Sequence, residues 1–165
     1  MIAKPRTIVG ASLLIQAPTG GYDVDKVINA GSNRWSLKLG LGAIWPVSPG
    51  WLFEADIGAW FFGDNDEFVG TTREQEPIGS VEFHLVRTIN PSLWASLDLN
   101  YYVGGQTTVG EDVRADPQRN SRLGATVLIP FKGRHAIRTS FSTGIITDSG
   151  GDYDTFTLSY VYAWL

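Results

Sequence analysis

Apolar and polar residues alternate with a period of two along almost the whole chain, which predicts strands and no long helix. From about Thr7 to Ala17, the residues Val9, Ala11, Leu13 and Ile15 share one face. Trp35, Leu37, Leu39, Leu41, Ala43 and Trp45 then alternate with Ser36, Lys38, Gly40 and Gly42. Trp51, Phe53, Ala55, Ile57, Ala59 and Phe61 oppose Glu54, Asp56 and Gly58. A fourth strand sets Val81, Phe83 and Leu85 against Ser80, Glu82 and His84, and a fifth sets Leu93 to Tyr101 against Ser96, Asp98 and Asn100. The sixth has Leu123 to Ile129 against Arg122, Gly124 and Thr126; the seventh has Ile137 to Ile145 against Arg138, Ser140 and Ser142. The last, Tyr153 to Leu165, puts Phe156, Leu158, Tyr160, Tyr162 and Trp164 on one face and small or hydroxylated residues on the other.

The connections alternate in length. Pro46 to Gly50, Thr88 to Ser92 and Pro130 to Arg134 are tight. Pro18 to Asn33, Gly63 to Glu76 and Gly104 to Asn120 are long and rich in Gly, Asp, Asn and Thr; Thr147 to Asp152 is shorter. Short turns at one rim and long loops at the other are the pattern of an outer-membrane β-barrel. The expected fold is therefore all-β: an antiparallel up-and-down meander of about eight strands, forming a transmembrane β-barrel or part of a larger one.

Two aromatic girdles follow from the same layout. Trp45, Trp51 and Trp164 fall near the short-turn rim, and Trp35, Phe61, Tyr101 and Tyr153 near the long-loop rim, where amphipathic rings meet headgroups. Alternation fixes two faces but not which is inside. A soluble lipocalin-like barrel, with the Trp35/Leu37/Leu39/Leu41 face lining a ligand cavity, is the inverted alternative.

Composition narrows the choice. The 165 residues suffice for one domain over residues 1–165, and 43% hydrophobic content without a long apolar run excludes a conventional transmembrane helix. Nineteen glycines and twenty aromatic rings suit tight turns and interfacial belts. With no cysteine there is neither disulfide nor thiolate metal site, and no metal or other cofactor is expected. A net charge of -4 without a basic patch argues against a nucleic-acid partner. Lys4 and Arg6 are followed by no apolar segment and cleavage site, so an exported chain of this kind is expected to be a mature form or, the favoured reading, a fragment incomplete at its amino terminus.

Several of these stretches carry a resemblance. Pro18-Thr19-Gly20, Tyr22-Asp23, Asn29, Gly31 and Asn33-Arg34-Trp35 resemble the loop signature of the outer-membrane transporter, or MetA-pathway-of-phenol-degradation, family. Gly104-Gly105-Gln106-Thr107 and the terminal Tyr160-Val161-Tyr162-Ala163-Trp164 fit the same family, and the chain resembles its carboxy-terminal portion. The resemblance implies an outer-membrane channel for passive uptake of small, often aromatic or hydrophobic, compounds. It implies lipid and a solute as partners and brings no catalytic residues.

The polar face supplies the candidate lumen-lining set: Lys38, Glu54, Asp56, Glu82, His84, Asp98, Asn100, Arg122 and Arg138. Counting outward from Asn90 makes Glu82 a cross-strand neighbour of Asp98, with Asp56 at similar height and Lys38 diagonal to Asp56. Arg122 and Arg138 would face these carboxylates, closing a mid-depth belt of opposite charge. Three uses are open. The belt fills a closed, non-conducting eight-stranded structural barrel; it lines a pore and selects solutes; or Glu82/Asp98 and His84/Ser96 form a reactive site. The third lacks an identifiable third residue or oxyanion donor. The acidic run Asp64-Asn65-Asp66-Glu67 reads as a solvated loop and lacks the spacing of a calcium loop.

Overall fold

The computed structural model describes residues 6–164, so Met1 to Pro5 and what they imply about the chain start lie outside the described residues. Among the described residues, twelve strands form two sheets. The main sheet is antiparallel, in the order β1 (Ile8–Gln16), β2 (Ser36–Ser48), β3 (Trp51–Phe62), β6 (Ile78–Asn90), β7 (Leu93–Gly104), β10 (Gln118–Lys132), β11 (His135–Ile146) and β12 (Thr155–Tyr162). These are the eight strands expected from alternation. Thirteen residues of β2 at ~3.3 Å each span about 43 Å, enough to cross a ~30 Å hydrocarbon layer at a steep tilt. No helix is present among the described residues.

The faces sort as the alternation demands, and the orientation of the sheet is settled by what its two sides meet. Leu41, Ile57, Leu97 and Phe156 project from one face and are exposed; Leu97 is 60% exposed. A cavity of about 570 Å³ on the other face is lined from β3, β6, β7, β10 and β11, so the sheet curls around its polar side. The only buried apolar residues among those described are Ile78 and Ala136. A soluble fold of this size would bury its large apolar side chains; this one turns them outward. That geometry overturns the lipocalin-like inversion, which needs the Leu39/Leu41 face inside.

The edges of the sheet stay apart. β1 pairs only with β2, and β12 only with β11, among the described residues. The closed, non-conducting eight-stranded barrel is therefore not the architecture observed; the chain forms a curved wall with two free edges.

The tight turns are shorter than the sequence suggests. They reduce to Pro49-Gly50, Pro91-Ser92 and Gly133-Arg134, because the strands run on into the proline-bearing stretches. Each of the three hairpins carries a bulge beside its turn, at Pro46/Ser48, Thr88/Asn90 and Pro130/Lys132. Asn90 Oδ1 accepts the backbone N–H groups of Ser92 and Leu93 and closes the middle one.

The long connections are not simple loops. Those after β3 and β7 contain β4 (Asn65–Phe68), β5 (Thr71–Gln75), β8 (Thr107–Val109) and β9 (Asp112–Val113), which pair into a second sheet, β4-β5-β8-β9. Gly104 and Gly105 turn the chain from β7 into this sheet; both have positive φ and lie against Pro77 and Ile78, where a side chain has no room. Asp64 to Glu67, expected as a solvated acidic loop, instead enters β4, with Asn65 only 3% exposed.

Candidate functional site: the polar lumen and its loop rim

Hydrogen-bonded pairing places the polar side chains in rows across the concave face. Asp56 is opposite Glu82, Glu82 opposite Asn100, and Asn100 opposite Arg122. The next row toward the short turns is Glu54, His84, Asp98 and Gly124. Four carboxylates thus sit on β3, β6 and β7 within two adjacent rows.

Two expected neighbours are corrected. Glu82 faces Asn100 and not Asp98, and His84 faces Asp98 and not Ser96. The turn residues are Pro91-Ser92, and with the one-residue bulge at Thr88/Asn90 the pairing is displaced by two positions from a count centred on Asn90, so each residue keeps its face. Asp98 becomes the acceptor of a network: His84 Nδ1 lies 2.7 Å from its Oδ1, Ser96 Oγ donates to Oδ1 at 2.8 Å, and Thr126 Oγ1 donates to Oδ2 at 2.8 Å. Ser96 donates to the carboxylate and not to the imidazole, so His84 does not activate it. Glu82 and Asp98, one row apart, form no shared-proton pair.

Lys38 was expected diagonal to Asp56. It instead crosses β3 above Gly58, and its Nζ lies 3.3 Å from Glu82 Oε1 and 5.8 Å from the Trp60 ring centre. Lys38 and His84 thereby accompany two of the four carboxylates.

The expected wall of guanidinium groups does not form at one depth. Arg122 shares the row of Glu82 but turns the other way. Its Nη2 donates to Ser142 O at 3.1 Å and Tyr153 O at 2.8 Å, with the guanidinium 4.2 Å from the Tyr153 ring centre. Arg138 is opposite Leu128, which is opposite Trp94, three rows nearer the short turns than Arg122, and it lines the large cavity. Neither arginine makes an ion pair among the described residues.

One of the rings expected at the two rims lies elsewhere. Trp35, Trp45, Trp51, Phe61, Tyr101 and Trp164 are all exposed on the apolar face or at its ends. Tyr153, assigned to the long-loop girdle, covers Arg122 beside Tyr102 on the polar side. At the short-turn rim, Phe131, His135, Tyr160, Tyr162 and Trp164 form a chain of ring contacts.

Inward rings were missed from the candidate set. Trp60 and Phe62 stack on the polar face of β3, and Trp94 lines the large cavity from β7. Their signal was available, since Trp60 and Phe62 continue the Glu54-Asp56-Gly58 series by twos.

The long connections are laced together at one rim. Tyr22 receives a hydrogen bond from Asn65 Nδ2 at 2.7 Å, and Asn33 Nδ2 donates to Asn65 Oδ1 at 3.1 Å. β5 pairs with β8, joining the second connection to the third. Asn120 Oδ1 accepts from Asp148 N at 3.0 Å, and Ser149 Oγ donates to Asp116 O at 2.9 Å, joining the third to the fourth. Asn29 closes the first connection on itself through Asp23 and Lys26.

Comparisons with known proteins agree with this architecture. The family model described as "Putative MetA-pathway of phenol degradation" matches residues 3–162. Among solved structures, the COG4313 outer membrane channel from Pseudomonas putida F1 superposes with a TM-score of 0.87 at 22% identity. The match covers 94% of this chain and 59% of that one, so the chain spans well under two thirds of its length. No curated protein matches the sequence.

Proposed function

We propose, from the premise that this chain belongs to the MetA-pathway of phenol degradation family, that it forms much of the wall of an outer-membrane channel for small solutes. The observation that carries this reading is the division of the sheet: large apolar side chains cover the convex face, while charged and hydroxylated ones surround a cavity on the concave face. A bilayer and a wet lumen are the two environments that make both faces favourable at once. The similar fold of an outer membrane channel supports the same location.

The lining supports a class of solute. Glu54, His84, Asp98, Asn100 and Arg138 keep the passage hydrated, and the rings of Trp60, Phe62, Trp94 and Tyr102 offer flat apolar surface along it. Charged groups with interspersed aromatic faces suit passive movement of small aromatic or hydrophobic compounds, which touch the rings while the polar groups stay wet. The side chains take part by contact and field, not by bond-making.

Proteoliposome flux tests the reading. Phenol should equilibrate faster into vesicles carrying the protein than into protein-free vesicles, and faster than glucose does through the same protein. Identical phenol entry with and without the protein, in vesicles where the protein shows a heat-dependent gel mobility, would count against it.

A further inference from the structure

The laced rim encloses a second cavity, of about 400 Å³, between the first long connection, the end of β1, β4 and β5. Its wall combines Arg34 and Arg73 with the apolar Val27, Ile28 and Phe68 and with the amide of Asn29. The two guanidinium groups are held in place by rings: Arg34 lies 4.6 Å from the Phe62 ring centre and Arg73 5.2 Å from that of Phe68. Arg34 Nη2 donates to Gln75 Oε1. Its Nη1 is buried and has no hydrogen-bond partner among the described residues.

This pair of cations lacks what normally accompanies it. Neither arginine lies within ion-pair distance of a carboxylate among the described residues. Asp64 near Arg34 and Asp116 near Arg73 act only through longer-range charge. Burial, and then the charge of Arg73, pull the Arg34 guanidinium below its ordinary value. Two like charges facing one cavity with no carboxylate in contact are stabilised by an anion that reaches them, and a guanidinium fork matches a carboxylate in shape. The cavity is of small-ligand size, and its apolar residues suit a ring or branched chain next to the charge.

We propose that this cavity is a binding site for a small aromatic carboxylate, captured at the loop rim by Arg34 and Arg73 with its ring against Phe68, Val27 and Ile28. The proposal rests on the channel reading for its place on the entry route, but the binding itself does not depend on conduction.

The test is ¹⁹F NMR of 4-fluorobenzoate with the full chain in detergent micelles, with 4-fluorophenol as the uncharged probe and inorganic phosphate as the competitor that stands for lipid headgroups. Line broadening of 4-fluorobenzoate that benzoate reverses, with no benzoate-reversible broadening of 4-fluorophenol, is expected. Arg73→Gln should weaken the affinity about tenfold, the effect of losing one charged hydrogen-bonding group. Arg34→Lys, which keeps the charge and removes the fork, serves the same purpose if Arg73→Gln loses its heat-dependent gel mobility. Undiminished binding in a folded variant, equal binding of 4-fluorophenol, or displacement by phosphate ahead of benzoate would each overturn the site. Conductance of the same preparation separates the two ideas. Conduction without carboxylate binding sinks this site alone, whereas specific binding without conduction sinks the channel alone.

Discussion

Lys38 Nζ lies 3.3 Å from Glu82 Oε1, two strands away, and its side chain reaches across β3 because residue 58 is glycine. A Cβ at Gly58 would sit 2.9 Å from Lys38 Cε. The bridge is partly exposed, so it adds under about 1 kcal/mol to stability. Its importance is to the field in the lumen. Replacing Glu82 by Gln leaves Lys38 uncompensated among fewer carboxylates. A unit charge acting at ~8 Å in water contributes about 0.5 kcal/mol, or roughly a twofold change for each ion. Losing that charge disfavours potassium and favours chloride alike, so the potassium-to-chloride permeability ratio should fall about fourfold in planar-bilayer recordings; an unchanged reversal potential would remove Glu82 from the conduction path.

Leu97 tests the outer face. It is 60% exposed midway along β7, yet a bilayer would surround it. An exposed leucine on a soluble sheet tolerates arginine within about 0.5 kcal/mol. On a lipid-facing strand near mid-depth, Leu97→Arg should cost about 2–4 kcal/mol. Urea unfolding in liposomes measures the difference, and Ser140→Arg on the lumen side is the matched control.

The Asp98 network should be costly to break. His84, Ser96 and Thr126 all converge on its carboxylate, whose side chain is 13% exposed. Asp98→Ala leaves all three without that acceptor and should lower stability by about 1–3 kcal/mol. Imidazole is the lumen group whose ordinary ionisation lies in the physiological range. A change in conductance between pH 5 and pH 8 that disappears in His84→Gln is the expected result; an identical pH profile in the variant would exclude His84 as its source.

The rim has its own pH dependence. Burial raises the Asp116 carboxyl, but hydrogen bonds from Thr107 Oγ1 (2.6 Å) and Thr107 N (2.8 Å), with the charge of Arg73, bring it net below the ordinary carboxylate value. A carboxyl depressed by folding contributes stability above its unfolded value and loses it as pH falls through the folded one. The third long connection should thus loosen at pH below about 4. Proteolysis between β8 and β10 should rise in that window, and Asp116→Asn should show the same sensitivity already at neutral pH.

Much of the wall was legible in the sequence because a barrel strand writes its two environments into alternate residues. Leu37 to Trp45 and Leu93 to Tyr101 are unambiguous for this reason. Pairing was less legible. The turn at Pro91-Ser92 and the one-residue bulge beside it together moved the partners of Glu82 and His84 by two positions without changing their faces, and no residue pattern counts a bulge. Lys38 and Arg122 show a second limit: long side chains leave their own rows, Lys38 over a glycine and Arg122 toward Tyr153. The second sheet was hidden because β4, β5, β8 and β9 have two to five residues each, too short for a periodicity to register. The loop signature was visible as a motif, but its work became plain only when Tyr22 and Asn33 were found on Asn65, across distant connections.

The most direct test of the central claim uses two adjacent positions on β7. The chain has no cysteine, so Leu99→Cys and Asn100→Cys can each carry a single nitroxide. In liposomes, the label at 99 should be relaxed by dissolved oxygen and shielded from a water-soluble nickel chelate, and the label at 100 should show the reverse. The opposite assignment, or equal exposure of both labels to the chelate, would contradict a lipid-facing apolar surface and a wet polar lumen.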